Sequence, residues 1–172
     1  MSDRELIALY LNGSQRAFEL FYAKYKDNIF RYILSMCGDH EHAMDICASS
    51  WETFIKKSHL VNDNPSAYLF AISRSQLSNY YRKHPNIIAQ KLEVDMSDDQ
   101  CLTYTADFSN LMKQINQLPF NQKEALLLKH LAGYSLDELA QYQGINQESA
   151  KSRVRYAVKK IRNYFSLSEE AL

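Results

Sequence analysis

The chain has 172 residues, enough for one ordinary domain or two small ones, with four glycines and three prolines. Leu, Ala, Lys, Glu, Gln and Tyr recurring at helical spacing predict an all-α protein and argue against a β-sandwich or an α/β fold. Twenty basic and twenty acidic residues cancel, but unevenly: from Pro85 to Ser109 only Lys91 opposes Glu93, Asp95, Asp98, Asp99 and Asp107, whereas Lys151 to Arg162 holds six cations and no acid.

No run of about 18 apolar residues occurs, and the first residues, Met1 to Glu5, show neither a basic nor an apolar leader region. The expectation is a cytoplasmic protein without direct membrane insertion. Cys37, Cys47 and Cys101 are odd in number and unpatterned, as free thiols in a reducing compartment would be.

Ser2 with Glu5 forms a capping-box pattern for a first helix that runs to about Asn12 and stops at Gly13. Ser14 caps a second, whose Phe18, Phe21, Tyr22, Tyr25, Ile29, Tyr32 and Ile33 make one aromatic and aliphatic face before Gly38. Asp39 caps a third helix through about Lys57. Asn64-Pro65 starts a fourth that reaches about Lys83, where His84-Pro85 ends it, because a residue before proline disfavours the helical region. A first domain is therefore predicted over 1–84.

Weak periodicity and clustered acids predict a flexible acidic linker over 85–108 and a second domain over 109–172. In that domain Leu111 to Leu118 is followed by a helix opened by Pro119 and stopped at Gly133. Ser135-Leu136-Asp137-Glu138 is another capping box, its short helix ends at Gly144, and Asn146 caps a long final helix through about Phe165.

Two helices joined through Gly144-Ile145-Asn146 read as a helix-turn-helix. Ala140 is small where the helices would cross, Gly144 suits a left-handed turn, and Leu139 and Ile145 are predicted to fill the space between helices. The following helix carries the acid-free basic run, so its first turns suit a major groove and its later cations suit phosphates. The plainer alternative is a helical hairpin with a solvated basic face.

Leu118-Pro119, Ala125 to Leu128, Gly133 to Ala140, Gly144-Ile145 and Lys151 to Val154 together resemble the fourth conserved region of extracytoplasmic-function RNA polymerase sigma factors, a branch of the sigma-70 superfamily. Ala17-Phe18, Tyr25, Ala43 to Ile46, Trp51, Pro65 to Leu69 and Arg82 resemble the second conserved region. The resemblance implies a subunit that joins core RNA polymerase, through the beta-prime clamp helices and the beta flap, and selects promoter DNA. It also implies an anti-sigma factor as partner.

By resemblance, Lys151, Ser152, Arg155 and Tyr156 meet bases and nearby phosphates of the upstream promoter element, with Arg153, Lys159 and Lys160 on the backbone. Asn62, Asn64, Tyr68, Ser75, Tyr80 and Arg82 correspond to the downstream element, with Tyr81 on the same path. Asp45, Ile46, Ser49 and Trp51 correspond to the polymerase contact. The chain departs from the family where Asp-x-x-Gln-Glu-x-Phe becomes Asp45-Ile46-Cys47-Ala48-Ser49-Ser50-Trp51, where Trp-Leu becomes Tyr68-Leu69, where a base-reading Asn becomes Ser75, and at Ala150 and Gln143.

No phosphate-binding glycine loop, nucleophile elbow or paired-carboxylate signature is found, so no enzymatic activity and no cofactor are expected. Cys37, His40, His42 and Cys47 lack the paired spacing of a zinc site. Two alternatives remain at this level: a stand-alone helix-turn-helix regulator, and a sigma-like adaptor without promoter melting.

Overall fold

The computed structural model describes residues 1–61, 64–84 and 106–169, with the backbone alone at 106–109 and 167–169. The described residues form helices and one short 3-10 turn, with no strand among them. Asn62 and nearly all of the expected linker lie outside them.

Helix α1 (Asp3–Leu11) begins with the predicted capping box, Ser2 and Glu5 each binding the other's backbone N–H. Helix α2 (Gln15–Cys37) starts at Ser14, whose hydroxyl accepts from Ala17 N–H, and ends at Gly38, whose φ of 71° is the left-handed conformation that stops a helix. Asp39 accepts from His42 N–H to open α3 (His40–Lys57), which passes into a 3-10 turn at Ser58–Leu60. Asn64 accepts from Ala67 N–H and Pro65 occupies the first turn of α4 (Pro65–Lys83). The predicted caps and stops of this unit are therefore realised.

Helix α2 packs against α1, α3 and α4, and α3 lies along α4. The long aromatic face of α2 supplies the centre: Phe21, Ile29, Tyr32 and Ile33 are fully enclosed with Phe54 of α3 and Leu69 and Phe70 of α4. Phe21 stacks on Phe54 at 5.3 Å, and Tyr32 meets Phe70 edge-on at 5.4 Å. Asp3 ties α1 to α2, accepting from Tyr25 Oη at 2.5 Å and Lys24 Nζ at 2.7 Å. The Asp3 contact and, to a lesser degree, Tyr25 hold the Lys24 ammonium above its ordinary pKa.

The second unit contains α5 (Ala106–Asn116), α6 (Phe120–Leu131), α7 (Leu136–Gln143) and α8 (Gln147–Glu169). Helix α5 begins three residues before the expected domain start at Ser109. Helix α8 packs on α6, α7 and α5, and α6 on α7. Their shared core holds Leu118, Ala125, Leu128, Leu139, Ala140, Ala150 and Ala157. The chain divides into two compact units, Met1–Asp95 and Met96–Leu172.

Candidate nucleic-acid interface

The α7–α8 pair is built as a helix-turn-helix. Ser135 and Glu138 close the capping box of α7, and Gly144 adopts a φ of 65° at its end. A Cβ at Gly144 would meet nothing within 4 Å, so the demand for glycine there is conformational and not steric. Asn146 Oδ1 accepts from Ser149 N–H at 2.7 Å and opens α8. Leu139 and Ala140 are buried as expected, and Ala150 is buried beneath the start of α8. Ile145, expected to fill the space between the helices, is only half-buried.

At about 100° per residue, Lys151, Arg155, Lys159 and Arg162 fall within an arc of roughly 80° on α8. All four are exposed; Ser152 borders the arc, and Tyr156 lies about 60° beyond its edge on the same side. Ala150 and Ala157 mark the opposite, buried side. Four cations on one uncovered helix face, rising from a helix-turn-helix, form a surface complementary to a phosphate-lined groove. The Arg155 guanidinium lies 5.3 Å from the Tyr156 ring centre, which holds it over an apolar face at the edge of this surface.

Two of the predicted cations point elsewhere. Arg153 is half-buried and donates through Nη1 to Gln143 Oε1 at 2.9 Å. Gln143 Nε2 in turn donates to Glu124 Oε2 at 3.0 Å and to the Asn121 carbonyl at 3.3 Å. Glu124 is 1% exposed, so the polar Gln143 that departs from the family pattern bridges a buried carboxylate and a guanidinium. Lys160 Nζ reaches the Gln117 carbonyl, at 3.4 Å, beyond the end of α5. Projecting the final helix at 100° per residue already separates Arg153 and Lys160 from the other cations and adds Arg162, which the sequence reading did not select. The bridge to Glu124 has no comparable local signal, because its three members lie on three helices.

On α4, Tyr68, Ser75 and Arg82 recur at seven-residue steps and share one side of the helix; Ser75 and Arg82 are exposed and Tyr68 half-buried. Arg82 donates to Asn79 Oδ1 at 3.2 Å. Asn64 Oδ1 serves as the helix cap and also accepts from Ser66 Oγ at 2.9 Å. Tyr80 points inward: it is 7% exposed, packed against His42 at 4.9 Å and His84 at 4.6 Å. Burial, and secondarily Cys37 and Asp39, push its phenol above the ordinary tyrosine pKa. Tyr81 is half-buried and its hydroxyl donates to the Met36 carbonyl.

On α3, Asp45 is exposed and Ser49 half-buried, while Ile46 and Trp51 are in the core. The Trp51 ring lies 4.8 Å from Tyr22 and 6.1–6.2 Å from Phe18, Phe21 and Phe54. Trp51, expected at the polymerase contact by resemblance, is thus packed within the core of this unit. The outer face carries Met44 and Ile55 beside Asp45, Ala48 and Glu52. Burial raises the Cys47 thiol to about 11, with the Trp51 indole opposing it. Among the described residues no group of three or more His, Cys, Asp or Glu is placed to hold a metal ion.

Comparison with known proteins matches this arrangement at both ends of the chain. Residues 21–86 match the family model "Sigma-70 region 2" and residues 108–161 match "Sigma-70, region 4", together more than two thirds of the 172 residues. The ECF RNA polymerase sigma factor SigM of Bacillus subtilis (strain 168) is 26% identical over 157 residues, covering 83% of this chain and 93% of SigM. SigX of the same organism is 20% identical over 171 residues, covering 92% and 88%. In fold, the chain is similar to the sigma factor RpoE of Bartonella quintana, solved with the anti-sigma factor NepR, with a TM-score of 0.70 at 21% identity over 87% of this chain and 96% of that one. CnrH, solved with the cytosolic domain of CnrY, gives a TM-score of 0.65 at 19% identity over 96% and 97%. Carrying both conserved regions in order on an all-helical two-unit fold, the chain belongs to the sigma-70 family as an extracytoplasmic-function RNA polymerase sigma factor.

Proposed function

We propose that the chain joins core RNA polymerase and directs initiation by assigning one promoter element to each unit. The observation that carries this reading is the exposed stripe of Lys151, Arg155, Lys159 and Arg162 on the second helix of a capped helix-turn-helix. Helix α8 meets the upstream element, its first two turns in the groove and its later cations on phosphates. The uncovered side of α4, with Tyr68, Ser75 and Arg82, faces the downstream element. Asp45 and Ser49, beside the exposed apolar Met44 and Ile55 on α3, dock on the polymerase clamp.

The protein acts as a specificity subunit without catalysis of its own. No helix among the described residues is long and apolar enough to cross a membrane, in keeping with work in the cytoplasm. Because its structural relatives RpoE and CnrH were solved with NepR and with the cytosolic domain of CnrY, an anti-sigma factor is the expected regulator.

Run-off transcription with core polymerase tests the reading. The wild-type chain should support initiation from its own promoter, and Lys151→Ala plus Lys159→Ala should abolish the dependence on the upstream element. Initiation whose dependence on that element survives the double change overturns the assignment of α8.

A further inference from the structure

One residue on the cationic face of α8 has the wrong sign for a phosphate contact. Glu148 lies in the first turn of α8, and at about 100° per residue it projects between Arg155 and Lys159, inside the stripe. Its side chain is 75% exposed, with Lys151 Nζ as a partner at 3.9 Å. So long and exposed an ion pair is weak, and the carboxylate is free to exchange it for another donor.

Given that α8 is the helix that enters the groove, as proposed above, we infer that Glu148 is a specificity-determining residue that reads one base pair of the upstream element. Its carboxylate accepts a hydrogen bond from the exocyclic amine of cytosine and rejects guanine at that base. In the major groove cytosine presents an N4 donor, whereas guanine presents only the O6 and N7 acceptors, which a carboxylate repels. Glu148 to Arg155 spans roughly 10 Å of helix at about 1.5 Å per residue, or about three base steps of 3.4 Å. Glu148 therefore addresses one end of a short footprint shared with Lys151, Ser152 and Arg155. Lys159 and Arg162 lie further along the helix, over phosphates.

An acid in this position lowers affinity for DNA in general, since every misplaced register brings it against phosphates or acceptors. Only a sequence offering an amine donor compensates for its desolvation. Its contribution is thus to the ratio between right and wrong sites, obtained by repulsion as well as attraction.

The test uses the full chain assembled with core RNA polymerase, selecting from promoter duplexes randomised across the upstream element. The wild-type protein should favour cytosine at one position by roughly tenfold. Glu148→Ala should flatten that position alone and strengthen binding to unrelated sequences. Glu148→Gln, which keeps the length and loses the charge, should turn the preference towards adenine, whose N6 and N7 suit an amide. Unchanged base preferences in Glu148→Ala, alongside weakened binding in Lys151→Ala plus Lys159→Ala, would overturn the role of Glu148 and leave α8 as the reading helix. No change in either variant would remove both.

Discussion

The carboxamide oxygen of Gln143, at the end of α7, accepts a hydrogen bond from Arg153 of α8 at 2.9 Å. The amide nitrogen of the same residue donates to the buried Glu124 of α6. One side chain thus links α6, α7 and α8 and keeps a carboxylate and a guanidinium at one remove. Gln143→Leu removes the acceptor of Arg153 and a donor of Glu124, which costs about 1–3 kcal/mol. Thermal unfolding followed by circular dichroism should show a lower midpoint for the second unit; an unchanged midpoint would mean the bridge contributes nothing.

Arg153 and Lys159 are both cations of α8, yet they should fail differently. Lys159→Ala should leave the melting profile within about 0.5 kcal/mol of wild type and reduce the slope of log affinity against log salt by about one. Arg153→Ala should lower stability instead, with a smaller change in slope, because its guanidinium is engaged with Gln143. Salt titrations of promoter binding paired with melting curves decide this, and equal slope changes in the two variants would refute it.

On α3 the same contrast holds between Trp51 and Asp45. Trp51→Ala opens a cavity among Phe18, Phe21, Tyr22 and Phe54 and should cost about 3–5 kcal/mol. Asp45→Ala, on the exposed side, should keep the melting temperature and weaken binding to core polymerase. Binding measured on folded protein settles the assignment: undiminished affinity in Asp45→Ala removes Asp45 from the docking surface.

Asp39 gives the first unit an acid-sensitive cap. The His42 backbone N–H, and beyond it the His42 side chain, hold its carboxyl below the ordinary pKa, against the opposing pull of partial burial. A depressed folded pKa stabilises fully above the unfolded value of about 3.9 and is lost as pH falls through the lower folded value. Asp39→Ala should therefore cost about 1 kcal/mol at pH 7, equivalent to roughly 4–8 °C for a unit of this size. The difference from wild type should shrink below about pH 4; a difference independent of pH would place the effect outside the carboxylate.

The sequence by itself determined what depends on neighbours along the chain. Ser2 with Glu5, Asp39, Asn64-Pro65, Ser135 with Glu138, and Asn146 each start a helix where predicted, since a cap is made by groups three residues apart. The order of the two conserved regions was legible for the same reason. What a side chain faces was not. Tyr80 and Trp51 carry rings suited equally to a core or to a binding surface, and only the packing of α2, α3 and α4 turned both inward. Arg153, expected by resemblance as a contact to the DNA backbone, donates to Gln143, whose amide also bonds the buried Glu124. Charge is a property of residue type, but whether a charge faces solvent or a buried partner is decided by residues distant in sequence, which only the tertiary fold brings within hydrogen-bonding reach.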